Sequence, residues 1–184
     1  PDGVFNVVQG AAQVGQWLTN SPDIEKVSFT GEVGTGKKVM QSAAASNLKD
    51  VTMELGGKSP NIILDDADLE AAVTGGVLHM YNNTGQSCNA PSRMLVPRNR
   101  LAEAEQIAAA VSQSVVVGDT ASKDTTMGPV VSKVQWDKIQ GLIQRGIDEG
   151  AKLVCGGTGL PEGVDAGHYV KPTVFSEANN DMTI

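Results

Sequence analysis

The sequence predicts an α/β protein, and three observations carry that prediction. Short runs rich in β-branched residues, such as Lys26 to Thr30 and Val51 to Glu54, alternate with longer stretches of helical period. Glycine-rich turns punctuate them, most clearly between Phe29 and Lys37. Apolar residues make up 40% of the 184 and charged residues 19%, which suits a chain that folds around a core. Strands that alternate with helices indicate parallel, helix-covered sheets.

Val4 to Val8 reads as the first buried strand, Lys26 to Thr30 as the second and Val51 to Glu54 as the third. In the helix before the third strand, Gly36, Val39, Met40, Ala43 and Ala44 form an apolar face. From Asn61 the chain leads into another helix with the stripe Leu69, Ala72, Val73, Gly76, Val77 and Met80. Asp65, Asp66 and Asp68 introduce it and suit the positive end of a helix dipole better than a metal site. Asn82 to Gly85 ends that helix in polar residues and a glycine suited to a left-handed stop. Arg93 to Pro97 follows as a strand, then helices over Leu101 to Val115 and Val134 to Glu149. The last strands are Lys152 to Cys155 and Val170 to Phe175, with a glycine-rich loop over Gly156 to Gly167. A boundary near Gly57 to Asn61 divides the chain into residues 1–57 and 58–184.

A net charge of −7 without a local Lys/Arg cluster disfavours nucleic acid and anionic lipid surfaces. No apolar run approaches the roughly 20 residues of a membrane helix, and the first residues lack the basic and apolar regions of a signal peptide. With two cysteines in a chain that can build a core, a reducing cytoplasm is the expected compartment. The start at Pro1 instead of Met leads to the expectation of an internal piece of a longer protein.

Cys88 lies among Gly85, Gln86, Ser87 and Asn89, which offer no apolar context for burial. It reads either as a structural thiol or as a nucleophile toward carbonyl carbon. Cys155, inside an apolar strand, reads as core. Glu54 ends an otherwise apolar strand before Leu55, Gly56 and Gly57. A carboxylate there stands at the ligand-binding end of an α/β sheet, or is buried and raised toward the pKa of a general base. The turn carrying Gly31, Gly34 and Gly36 reads as a phosphate cradle at a helix start or as a plain strand-to-helix turn. His79 and His168 lack metal-ligand spacing.

Taken together, "FTGEVGTGKKVM", "VTMELGGKSPNIILDDADLE" and "GQSCNAPSR", in this order, resemble the aldehyde dehydrogenase superfamily over essentially the whole chain. The wording of the first motif and of the closing "HYVKPTVFSEANNDMTI" most resembles betaine aldehyde dehydrogenases. The resemblance implies an aldehyde dehydrogenase-like α/β fold. Residues 1–57 would be part of a Rossmann-like dinucleotide-binding domain, and residues 58–184 part of a catalytic thiol domain.

It further implies that Cys88 attacks the aldehyde and that Glu54 activates water to release the acid. NAD or NADP would be bound by Gly31, Glu32, Val33, Gly34, Thr35, Leu55 and Gly56, with the Leu48 carbonyl at a potassium position. Glu32 stands where many relatives have serine, so its carboxylate must turn away from a pyrophosphate or make a different contact. The family's second oxyanion donor and its ribose contacts match nothing in these 184 residues. An inactive isolated piece of a homo-oligomeric enzyme acting on a small aldehyde is therefore expected. A self-associating non-catalytic module and a thiol esterase without redox chemistry are the alternatives.

Overall fold

The structure is a computed structural model that describes residues 1–184, and the chain divides into two compact units, Pro1–Gly57 and Lys58–Ile184.

In the first unit, strands β1 (Lys26–Gly31) and β2 (Asp50–Leu55) run parallel, with Lys26 opposite Asp50 and Gly31 opposite Leu55. Helices α1 (Ala12–Asn20) and α2 (Val33–Ala45) complete the unit. Both strands alternate strictly. Val27, Phe29, Val51, Met53 and Leu55 are half-buried, whereas Lys26, Ser28, Thr30, Asp50, Thr52 and Glu54 are exposed. Successive side chains point to opposite faces, so this pattern leaves one face apolar and one polar. Gly36, Val39 and Ala43 are the buried positions of α2. A Cβ at Gly36 would stand 2.9 Å from Leu55 Cδ2, so glycine is what lets this helix lie close to β2.

The expected strand over Val4 to Val8 does not form, and its apolar side chains lie 65–85% exposed. An apolar run becomes a strand only beside a ladder partner, and β1 and β2 pair with each other and not with this segment. Lys49, in contrast, is buried. Its ammonium donates to Thr19 O at 2.8 Å and Ser46 Oγ at 2.6 Å, which places a cation at the negative end of α1.

The second unit contains β3 (Pro60–Ile62), α3 (Leu69–Tyr81), β4 (Arg93–Leu95), α4 (Leu101–Gln113), α5 (Lys133–Asp148), β5 (Lys152–Cys155) and β6 (Val174–Ser176). β3 pairs with β4 in parallel, so the residues from Pro60 to Ile62, read above only as the approach to a helix, form a strand of their own. β5 and β6 are antiparallel, a departure from the all-parallel expectation. The strand read over Val170 to Phe175 is shorter than expected, because ladder pairing begins only at Val174. Asp68 caps α3, its Oδ1 accepting from Ala71 N–H at 3.1 Å, and no group of three or more His, Cys, Asp or Glu residues gathers as a metal site.

Leu69, Val73, Val77 and Tyr81 line the buried face of α3 and join Ala104 and Ala108 of α4 in the core. Ser112 donates to Ala108 O at 2.7 Å, so the hydroxyl contact of 2.8 Å between Tyr81 and Ser112 has Tyr81 as donor. Burial raises the Tyr81 phenol above its ordinary pKa, and it stays protonated. Ser112→Ala leaves that phenol without a partner and is expected to cost about 1–3 kcal/mol. Tyr81→Phe leaves Ser112 bonded to Ala108 and should cost less. Urea unfolding of the two variants checks the order.

Candidate functional site

In the first unit, the turn between β1 and α2 carries most of the residues implied in cofactor binding. Gly31 ends β1 on the half-buried face, where a Cβ would press on the Phe29 ring at 2.6 Å. Glu32 is the N-cap of α2. Its Oε2 accepts from Thr35 N–H at 3.0 Å and its carbonyl accepts from Gly36 N–H at 3.0 Å. The carboxylate therefore does not turn away from the helix start. It folds over Gly34, where a Cβ would meet Oε2 at 2.9 Å.

Val33 and Thr35 are exposed in the first turn of α2. Leu55 ends β2 and packs toward Gly36, while nothing lies within 4 Å of the place a Cβ would occupy on Gly56. Glu54 sits one position before that end, in register with Thr30 on the polar face, and is exposed. Of the two environments weighed for it, the strand end holds and burial does not, because the strand's alternation points position 54 away from α2. Leu48 is 81% exposed in a left-handed conformation (φ 57°), its N–H donating to Ala43 O at 3.1 Å.

In the second unit, α3 gives way to a 3₁₀ turn, Asn82–Gly85, in which Asn83, Thr84 and Gly85 all have positive φ, at 52°, 57° and 73°. Only glycine enters that region without steric cost, so Asn83 and Thr84 need compensating bonds. Asn83 Nδ2 donates to Gln86 O at 3.1 Å, and Thr84 Oγ1 donates to Gly128 O at 2.9 Å. The Gln86 carboxamide uses both its atoms. Oε1 accepts from Val131 N–H at 2.9 Å, and Nε2 donates to Asn83 O at 3.0 Å.

Cys88 follows, exposed, inside a turn closed by Ala90 N–H donating to Ser87 O at 3.2 Å. Ala90 is buried, and its carbonyl accepts from Ser59 N–H at 3.3 Å, next to the start of the β3–β4 ladder. The thiol-bearing turn is thus fixed on both sides while its sulfur faces water. No acceptor in the chain takes the Cys88 N–H.

Cys155, half-buried in β5, points its sulfur toward Pro172 O at 3.9 Å, and both cysteines are free thiols. His79 is exposed in the last turn of α3, and His168 is half-buried with its carbonyl accepting from Val130 N–H. Gln86 and Thr84, which anchor the turn, were missed by the sequence reading. The only local signal was a glutamine directly before the polar thiol segment, and its partner lies 45 residues away.

A parallel β1–α2–β2 unit with a glycine-rich helix start and, in the second unit, an exposed cysteine on a braced turn define an α/β protein. The aldehyde dehydrogenase family matches residues 1–184, and the chain belongs to it.

The chain is 52% identical over its full length to 3-succinoylsemialdehyde-pyridine dehydrogenase from a Pseudomonas species, of which it covers 39%. Among solved structures it resembles aldehyde dehydrogenase C from Pseudomonas syringae, a mutant complexed with NAD+ and octanal. The TM-score is 0.96 and the identity 49%, over 98% of this chain and 37% of that one. It also resembles betaine aldehyde dehydrogenase from Staphylococcus aureus in complex with NAD+, with a TM-score of 0.93 and 36% identity over all of this chain and 37% of that one. The chain therefore spans less than two-fifths of the length of these relatives.

Limited alkylation with iodoacetamide, read by peptide mass spectrometry, is expected to label the exposed Cys88 well before the half-buried Cys155. Equal labelling, or Cys155 first, would contradict the exposure described.

Proposed function

We propose that this chain supplies the thiol and the hydrolytic base of an NAD-dependent aldehyde oxidation. The observation that carries the reading is Cys88, an exposed thiol on a turn braced on both sides, in a chain that the aldehyde dehydrogenase family matches throughout.

A thiolate is a strong nucleophile toward carbonyl carbon. Attack by Cys88 Sγ forms the S–C bond and leaves a tetrahedral thiohemiacetal whose oxyanion the free Cys88 N–H can stabilise. Loss of hydride from that carbon converts the adduct to a thioester. Glu54 then takes a proton from water, the resulting hydroxide adds to the thioester carbonyl, and breaking the S–C bond releases the carboxylic acid and restores the thiol. The nicotinamide, when bound, supplies the hydride acceptor. In this division of labour a soft sulfur makes the carbon tetrahedral, and a separate carboxylate manages water.

Residues 31–35 fit the diphosphate of a dinucleotide in their backbone, since Gly31 ends β1, Glu32 caps α2 and residues 33–35 are its first turn, with glycine at position 34. They fit in charge only after the Glu32 carboxylate leaves Thr35 N–H. Gly56, with open space where a Cβ would stand, would let a cofactor approach the end of β2. NAD is preferred to NADP because solved relatives carry NAD+. Leu48, an exposed residue whose carbonyl accepts no backbone hydrogen bond, is the candidate potassium position, and no step depends on it.

Betaine aldehyde is one candidate substrate. The greater identity to the 3-succinoylsemialdehyde-pyridine enzyme, 52% against 36%, favours a longer aldehyde without a quaternary ammonium. The exposed apolar residues Val4, Phe5, Val7 and Val8 support burial against further protein, in keeping with a homo-oligomer.

Rapid-quench mass spectrometry with NAD and an aldehyde, on a full-length enzyme that carries these residues, tests the two roles separately. Cys88→Ala is expected to form no covalent adduct. Glu54→Gln is expected to accumulate the Cys88 thioester, its release slowed by about 10²–10⁴-fold. Adduct formation in the alanine variant would refute the nucleophile, and unchanged release in the glutamine variant would refute the base.

Equilibrium binding of NAD tests the turn. Glu32→Ser keeps a good N-cap but removes the charge, and should tighten NAD by about twofold to fivefold. Unchanged or weaker binding would show that the carboxylate does not oppose the diphosphate.

A further inference from the structure

We infer that Gln86 is a positioning residue for Cys88: its carboxamide fastens the thiol-bearing turn to residue 131 and so sets the sulfur and the Cys88 N–H in their relative directions. The inference rests on the reading of Cys88 as nucleophile.

Three observations lead to it. The turn is entered through three successive left-handed residues, a path that local backbone preference does not maintain by itself. Gln86 is the first residue after them, and one side-chain amide binds in two directions, to Val131 N–H and to Asn83 O. Thr84 runs a second bond, to Gly128 O in the same distant segment. On the far side, Ala90 is buried and bonded to Ser59. Residues 87–89 therefore hang between two fixed points, and Gln86 is the last side chain holding the upstream one.

Acyl transfer to Cys88 uses two groups of the turn, the sulfur that attacks and the N–H that faces the developing oxyanion. Simple alkylation uses the sulfur alone. Loss of the Gln86 tether should therefore separate the two reactions, which a general loss of stability would not do.

The reporting reaction is acylation by p-nitrophenyl acetate. The Cys88 S–C bond forms, the ester C–O bond breaks, nitrophenolate leaves and the thiol proton passes to buffer. Its rate is compared with that of iodoacetamide alkylation at Cys88, alongside thermal melting. Gln86→Met is similar in length and makes neither bond, so acylation is expected to fall about tenfold or more with alkylation unchanged. Gln86→Glu keeps an acceptor for Val131 N–H and is expected to restore most of the acylation rate. Gln86→Asn, one methylene too short for Val131, replaces the methionine variant should that fail to fold, with the same fall expected.

Unchanged acylation in the methionine or asparagine variant overturns the proposal, as does an equal fall in acylation and alkylation, and both leave Cys88 as the nucleophile. Acylation of Cys88→Ala at the unmodified rate overturns the nucleophile reading, and the role of Gln86 with it.

Discussion

The left-handed run at Asn83, Thr84 and Gly85 is the constraint on which the thiol site depends. It stops α3 and redirects the chain, so that residue 88 emerges on a tight turn instead of continuing a helix. Holding residues that carry a Cβ in this region costs about 1–3 kcal/mol each. The cost is offset locally by bonds from the Asn83 and Thr84 side chains and from Gln86, and more widely by the core residues of α3 beneath the turn. Cys88 is exposed and is not among the core residues. The core fixes the helix end from which the turn springs, and the three side chains fix the turn.

The first unit follows a different logic. Its two parallel strands divide cleanly into an apolar face and a polar one, and the functional candidates lie where that division ends. Gly36 belongs to packing, since a side chain there would collide with Leu55. Gly34 belongs to the turn, where the Glu32 carboxylate folds over it. That carboxylate satisfies a helix amide that a phosphate would otherwise attract, so the helix start carries a built-in competitor for anions. Lys49 performs the complementary service at the opposite kind of helix end, its ammonium against the carbonyl of Thr19.

Much of this was legible in the sequence, and the exceptions share one cause. The alternation in residues 26–31 and 50–55 announces one-sided strands, and the helical stripes of α3, α4 and α5 stand where their spacing puts them. The polar surroundings of Cys88 offer it no apolar context and leave a structural thiol and a nucleophile both open, and the structure leaves the residue exposed. Val4 to Val8 misled because an apolar run reports a tendency to be buried, and burial also needs a partner. The pairing of Pro60–Ile62 with Arg93–Leu95, the antiparallel β5–β6 pair and the bond from Gln86 to Val131 each join residues far apart in sequence. Local composition carries no record of such partners. Glu54 was informative by position alone, since its exposure follows from the parity of the strand.

The central claim is that the Cys88 turn is a fixed structure held from both sides. Amide hydrogen exchange of the folded protein at Val131 and Ala90 tests it most directly, because these N–H groups bond to Gln86 Oε1 and to Ser87 O. Protection of both amides well above that of an open loop is the expected result. Exchange of both at the rate of an unstructured peptide would contradict the claim.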